Sequence, residues 1–503
     1  MKKIINTLIP SLSLYVYFCF LILNTPTISP EIGLAYLYLS ELSNISDILH
    51  KFVVFHEEWY RPFTFYLTNK IIFSIIDARN IYHIKIIGLL NIGILGWLST
   101  IVAKKILQAD YIERAILFCL IISHPLYYMI AYDGSGITDP FFNIFILLFI
   151  LFFHEIIEDK KTKINSYIYV VLCLLMIVLS LLSQERGAAI FLVLGSFLVF
   201  LLIGRKDVKN KLIKPQIFIV CIGALLILIF YVKLIYLAKQ GWTGPDYRTK
   251  IEIEYILINI VKMFEFPFRL MFVPVNKIYD VHININFNIT GLIIILFLTI
   301  YFIGVYLKKF IFNKSLYLVS MFYLSASVIP VFFGGNAWHF YTASIFISMI
   351  QAKALSQILL MGNFKKIGVT ILILLYSTLY YSIPMGIYQE IGEPSHVGGV
   401  MQIVYRAIND KTIIETGEKK PELIYFDTGD YGNNLWAFGG KGNLFKYIYD
   451  NPKIIEIPVS KGKIIDGYEN LCKNVMSKNP IFLNFNSANL SWIYGEQVEY
   501  CKK

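Results

Sequence analysis

The chain has 503 residues, of which 57% are hydrophobic and only 16% charged, and its mean hydropathy is +0.62. A soluble protein carries about a quarter charged residues to cover its surface, whereas many runs here reach the roughly 20 apolar residues that cross a hydrocarbon core, so a soluble protein is excluded. The net charge of +11 comes without a nucleic-acid recognition motif; in so apolar a chain it marks cytoplasmic helix ends, and nucleic acid is not an expected partner.

Met1-Lys2-Lys3 precedes an apolar run from Leu8 to Leu23. The run is long for a signal peptide and no small-residue cleavage site follows, so a retained first helix with a cytoplasmic N-terminus is expected. Further spans are predicted near 84–103, 114–131, 137–156, 166–182, 188–204, 216–237, 289–307, 316–333, 340–359 and 367–385, about eleven in all. Starting inside, the cytoplasmic turns hold Lys104, Lys105 and Arg114; Lys160, Lys161 and Lys163; Arg205, Lys206, Lys209, Lys211 and Lys214; Lys308, Lys309 and Lys314; and Lys365 and Lys366. The short outer connections at 132–136, 183–187 and 334–339 hold only Arg186. That asymmetry obeys the positive-inside rule and puts the tail outside the cytoplasm.

The expected fold class is therefore an α-helical polytopic membrane protein, residues 1–385, with a small C-terminal extracytoplasmic α/β domain, residues 386–503. Two long outer loops, 24–83 and 238–288, interrupt the membrane part, and long loops are usually functional. The first carries amphipathic stretches, Pro30 to Phe55 and Pro62 to Ile76, that read as interfacial helices. In the tail, Leu423 to Asp427, Ile454 to Val459 and Ile481 to Phe485 read as strands, with helices near 433–449 and 466–478 between them. Cys19, Cys119, Cys173 and Cys221 lie in apolar runs and read as packing residues. Cys472 and Cys501 lie in the tail, where a disulfide fits only an oxidising compartment. No internal repeat is visible, which disfavours a repeat-built transporter.

Chemistry-bearing residues collect at the outer ends. His56-Glu57-Glu58-Trp59-Tyr60-Arg61-Pro62 is the densest group: Arg61 suits a phosphate and a neighbouring carboxylate suits a general base, although from chemistry alone an aromatic, charged interfacial belt ending in a helix start at Pro62 is the simpler account. His124-Pro125 closes one span, and Asp133 and Asp139 open the next; Asp139 is either a cavity acid or part of a helix cap with Thr138. In the turn Ser183-Gln184-Glu185-Arg186-Gly187 the two charges either neutralise each other or line a polar cavity. Trp338-His339-Phe340-Tyr341 is either an aromatic belt or part of that cavity. The second loop offers Asp246, Tyr247, Arg248, Arg269 and Lys277, cations suited to a lipid-linked phosphate. Zinc, Walker, dinucleotide and nucleophile-elbow motifs are absent, so ATP-driven transport and soluble-cofactor redox chemistry have no support.

The order of these features resembles the GT-C superfamily of membrane glycosyltransferases, and most of all the bacterial relatives of the transmembrane and tetratricopeptide-repeat O-mannosyltransferases. Tyr60-Arg61-Pro62-Phe63-Thr64 is similar to that branch's Tyr-Arg-Pro-Leu-Thr, and His124-Pro125 followed by Asp139 matches its His-Pro segment and later acid. Ser183-Gln184-Glu185 resembles its Ser-Lys-Glu turn, Tyr247 through Pro274 its long outer helix pair, and Trp338 to Ser344 its Arg-Tyr-rich helix start. The resemblance implies transfer of a sugar from a polyprenyl-phosphate-linked donor to a glycan, lipid or protein acceptor at the outer face of the plasma (inner) membrane, in surface-glycan biosynthesis. It implies an acid as base, among Glu31, Glu57, Glu58 and Asp139, and donor-phosphate contacts from Arg61, Arg248 and Arg269. His56, Tyr60, His124, Asp133, Glu185, Arg186 and His339 would line the cavity. The chain departs from the pattern where paired aspartates are expected: Asn24-Thr-Pro-Thr-Ile-Ser-Pro-Glu31 offers only Glu31, and Met129 and Ile137 replace a Glu and an Arg. No tetratricopeptide repeats follow. A divalent cation is left open as cofactor. The alternatives are an O-antigen-type polymerase and a non-enzymatic flippase or transporter of lipid-linked glycans.

Overall fold

A computed structural model of the chain describes residues 2–25, 81–124, 127, 139–158, 163–183, 185–203, 214–239, 253, 256–257, 259–260, 262–263, 289–307, 314–333, 340–360, 376–377, 422–428, 444–449, 451, 453–460, 462–474, 480–486 and 491–494. Among the described residues, ten helices of twelve or more residues make the first part: α1 (Lys2–Asn24), α2 (Ile81–Ile106), α3 (Tyr111–Ile122), α4 (Asp139–Glu158), α5 (Lys163–Ser183), α6 (Ala189–Ile203), α7 (Pro215–Lys239), α8 (Ile289–Tyr306), α9 (Lys314–Phe333) and α10 (Tyr341–Leu360). Among the described residues, seven helices are long and apolar enough to cross a membrane, which makes the chain a multi-pass membrane protein. The span predicted at 367–385 and the boundary near 385 lie outside the described residues, apart from 376–377.

The helices form a bundle around α10, whose membrane window is 83% buried, while α7 at the rim is only 22% buried. Small residues on α10, Ala343, Ala352, Ala354, Ser344 and Ser348 among them, are buried and let neighbouring backbones approach, which is how helices associate in a solvent as apolar as themselves. A file of aromatic rings ties four helices together. Phe153 of α4 meets Phe197 of α6 at 5.1 Å, Phe197 meets Phe322 of α9 at 4.8 Å, and Phe322 meets Phe346 of α10 at 5.3 Å. Such tilted and edge-on pairs each add about 0.5–1.5 kcal/mol beyond burial.

Two ends of the bundle can be told apart by contact. Lys105 at the close of α2 pairs with Glu155 at the close of α4, 2.7 Å apart, and Lys353 of α10 pairs with Glu113 of α3 at 2.9 Å. These define the basic end. There α2 passes into α3 through a tight connection, in which Gln108 takes φ 54° and Asp110 caps α3 by accepting from the Glu113 backbone N–H at 2.8 Å. At the opposite end α3 stops at Ile122, earlier than the predicted 131. The reason is local: Pro125 disfavours helical backbone in the residue before it, and the Ser123 hydroxyl takes the Cys119 carbonyl at 2.6 Å. Cys119 and Cys173 are buried and Cys19 and Cys221 half-buried, all free thiols, while the side chains of Cys472 and Cys501 lie outside the described residues.

The second part is a five-stranded sheet made of β1 (Leu423–Asp427), β2 (Ile455–Ser460), β3 (Lys463–Ile464), β4 (Pro480–Asn486) and β5 (Ser491–Tyr494), with the short helix α11 (Leu444–Ile448) between β1 and β2. The order across the sheet is β3-β2-β1-β4-β5. The three central strands are parallel and the two edges antiparallel. Leu423, Tyr425, Ile457, Val459 and Phe482 pack on one face with Leu471 of a 3-10 turn, Glu469–Asn474. On the other face Phe426 meets Phe445 of α11 at 5.4 Å.

Candidate functional site

The end opposite the lysine turns gathers buried polar groups. Lys85, in the first turns of α2, is buried and donates to the Ile22 carbonyl at 3.1 Å and to the Thr25 carbonyl. Those carbonyls belong to the last turn of α1 and the residue after it, where backbone acceptors lack helical partners and the helix dipole favours a cation.

His124 is buried just past the end of α3, and its ring lies 5.8 Å from that of Tyr127. Tyr127, fully buried, stacks on Tyr341 at 5.5 Å. Its hydroxyl donates to the Tyr341 carbonyl at 3.0 Å and lies 2.8 Å from the Ser344 hydroxyl. Next along α10, Thr342 donates to Asn143 Oδ1 of α4 at 2.5 Å. Asn143 is fully buried, and its Nδ2 meets no acceptor among the described residues. Beside Asn143 on α4, the ring of Phe142 lies 5.6 Å from the guanidinium carbon of Arg186. A buried cation on an aromatic face contributes up to about 2 kcal/mol.

Arg186 is held there by a tight turn. Residues Glu185–Ala188 form a 3-10 turn between α5 and α6, and the Ser180 hydroxyl donates to the Gly187 carbonyl at 3.2 Å. A Cβ on Gly187 would lie 1.9 Å from the Ser180 carbonyl oxygen, so only glycine lets the turn approach α5 this closely.

One chain of contacts thus runs from His124 through Tyr127, Tyr341, Thr342, Asn143 and Phe142 to Arg186. Among the described side chains no carboxylate lies at this end. In a site screened from water, buried Arg and Lys side chains are strong partners for phosphate. Of the residues expected to form the site, His124 and Arg186 lie on this chain of contacts. The backbone of Asp139 opens α4, one turn before Phe142, and that of Glu185 precedes Arg186. Glu31, His56, Glu57, Glu58, Tyr60, Arg61, Asp133, Arg248, Arg269 and His339 lie outside the described residues, as do the predicted interfacial helices. Lys85, Tyr127 and Asn143 were not singled out by sequence. Lys85 alone carried a signal, a lysine at the end of a span where the positive-inside rule expects none. Among the described residues no group of His, Cys, Asp and Glu could hold a metal ion.

No protein-family model matches the chain, and no curated protein matches it in sequence. Its structure is similar to that of ArnT from Cupriavidus metallidurans bound to undecaprenyl phosphate, with a TM-score of 0.53 and 10% identity over 97% of this chain and 94% of that one. Against the same protein in the apo state the TM-score is 0.52, with 11% identity over 96% and 93%. The Archaeoglobus fulgidus oligosaccharyltransferase, tethered to an acceptor peptide, aligns with a TM-score of 0.48 and 13% identity over 90% of this chain and 64% of that one. The alignment with ArnT runs through both the bundle and the sheet: this chain is a multi-pass membrane protein with the GT-C type of fold.

Proposed function

We propose that the chain is a membrane glycosyltransferase that moves a sugar from a polyprenyl-phosphate-linked donor to an acceptor hydroxyl at the outer face of the plasma membrane, with the sheet domain on that side. One observation carries the reading: buried Arg186, His124 and Lys85 stand at the end of the bundle opposite the lysine turns, where an anionic lipid headgroup of the outer leaflet would arrive. ArnT, of the same fold, was solved with undecaprenyl phosphate. The motif order around Tyr60-Arg61-Pro62 supports the O-mannosyltransferase-like branch and a role in surface-glycan biosynthesis.

In this reaction a carboxylate, one of Glu57, Glu58, Asp139 and Glu31, takes the proton of the acceptor hydroxyl. The hydroxyl oxygen bonds to the anomeric carbon, and the bond from that carbon to the phosphate oxygen breaks. Arg61, Arg248 and Arg269 stabilise the departing polyprenyl phosphate, with Arg186 as a further cation lining the cavity. A base and a charge clamp of this kind are what the step requires. An O-antigen-type polymerase would use the same lipid carrier. Passage across the membrane is less well supported, because Ser344, Ser348 and Gln351 of α10 are sealed between helices.

Mass spectrometry of surface glycans from cells with and without the gene tests the reading. A glycan lacking one sugar or unit in the deletion is expected; identical glycans under expressing conditions sink it.

A further inference from the structure

The sheet domain has a feature that the bond-making step itself does not involve. Its central strands run in the order β2-β1-β4, all parallel, so the chain leaves β1 to one side and returns past it to the other. The two crossings lie on opposite faces. The first carries α11, whose Phe445 packs on Phe426 and whose Lys446 N–H donates to Glu456 at 2.5 Å. The second carries the 3-10 turn whose Leu471 packs with Leu423, Tyr425 and Phe482. The strand order therefore reverses at β1, whose neighbours β2 and β4 are reached over opposite faces, and in open α/β sheets ligands bind at the carboxyl end of the strands at such a switch point.

Two polar side chains stand at that point. Asp427 ends β1 and is paired in register with Asn484 of β4, about 4.8 Å away across a parallel ladder. By strand alternation both lie on the face of Tyr425 and Phe482, whose rings stack beneath them at 5.0 Å. Asp427 is half-buried and Asn484 exposed, although an exposed end of a strand in an apolar sheet could have been closed by an apolar residue. Thr428 fixes the exit of β1: its N–H and its hydroxyl both donate to the Val459 carbonyl, at 2.9 and 3.2 Å.

We propose that Asp427 and Asn484 form a subsite for the hydroxyls of a neutral sugar, the acceptor's in the transfer reaction, an assignment that rests on the glycosyltransferase reading. A carboxylate accepts from two hydroxyls, and an amide both donates and accepts, so the pair matches neighbouring hydroxyls on a pyranose. The carboxylate repels phosphate, which excludes the headgroup of the lipid donor and leaves the polyol portion of the acceptor.

The test uses the full chain in lipid nanodiscs and saturation-transfer NMR with the methyl glycosides of glucose, galactose, mannose and N-acetylglucosamine. At least one glycoside should bind the wild type, and Asp427→Ala and Asn484→Ala should each weaken it about tenfold, the loss of a hydrogen bond to a charged or strongly polar group. Asn484→Ala, at an exposed position, keeps the test valid where Asp427→Ala does not fold. No glycoside bound by the wild type, or binding unchanged in both variants, overturns the subsite. Undecaprenyl phosphate binding on the same nanodiscs separates the two readings. Sugar binding that maps to Asp427 in a protein that ignores the lipid upholds the subsite while removing the donor; lipid binding with no sugar bound does the reverse.

Discussion

Lys353 reaches Glu113 across 2.9 Å from α10 to α3, and the Glu113 side chain is only 2% exposed. An ion pair this deep contributes little over an apolar pair, but removing one partner strands a charge at a cost of about 3–5 kcal/mol. Lys353→Met should therefore lower the thermal transition of the detergent-solubilised protein sharply. The double variant Glu113→Leu with Lys353→Met should recover most of the loss. A double variant as unstable as the single one would show that packing, not charge, is at stake.

Gly187→Ala tests the placement of Arg186. The added methyl cannot coexist with a carbonyl oxygen 1.9 Å away, so the turn must move and carry Arg186 off Phe142. Transfer activity in isolated membranes should fall by about 10²–10³, the loss for a misplaced charge-stabilising group, with a loss of thermal stability of about 1–3 kcal/mol from the displaced turn. Arg186→Lys should not restore activity, because an ammonium lacks the planar fork. Normal turnover in Gly187→Ala would remove Arg186 from the site.

Phe322 sits between two rings of the aromatic file, 4.8 Å from Phe197 and 5.3 Å from Phe346, and is fully buried. Phe322→Ala should cost about 3–5 kcal/mol, and Phe322→Leu less than half of that. Thermal unfolding monitored by tryptophan fluorescence distinguishes the two; equal losses would mean that ring contacts add nothing beyond volume.

Glu456 gives the sheet domain a pH dependence. Burial pushes its carboxyl up to about 8, against about 4.3 in an unfolded chain; the charge of Lys446 and the N–H groups of Lys446 and Phe445 oppose this only in part. Between those values the native domain holds a proton that the unfolded chain has lost, so stability falls as pH rises from about 4.5 to 8. Hydrogen exchange of β1, α11 and β2 should be slower at pH 5 than at pH 8, by an amount on the order of a few kcal/mol in opening free energy. Glu456→Gln should flatten the profile; a profile unchanged by that substitution would falsify the assignment.

Much of this architecture is legible in the residues. The spans stand out by hydropathy, and the strands predicted at Leu423 to Asp427 and Ile481 to Phe485 match β1 and β4 within a residue at either end. Strands buried on both faces read as unbroken apolar runs. The edge strands β3 and β5 were not legible, because two or four residues carry no pattern; β3 exists through a two-residue hairpin in which Gly462 takes φ 76°. Over its described part, 466–474, the helix expected over 466–478 is a 3-10 turn, since Gly467 at φ 90° breaks the backbone just ahead of it. The site was harder. His124 and Arg186 could be named one by one, but the link between them runs through Tyr127 and Tyr341, which lie 214 positions apart. No local pattern records a contact at that range.

The early stop of α3 has a consequence for how a lipid would be supplied. Twelve helical residues rise about 18 Å, against a hydrocarbon slab of about 30 Å. A helix this short ends before a full crossing, with buried His124 two residues past its end. A carrier lipid could reach it by sideways diffusion within its own leaflet, its chain never leaving oil. Under the transferase reading, such a lipid need not be lifted into water; the short helix leaves the buried polar cluster within reach of its leaflet.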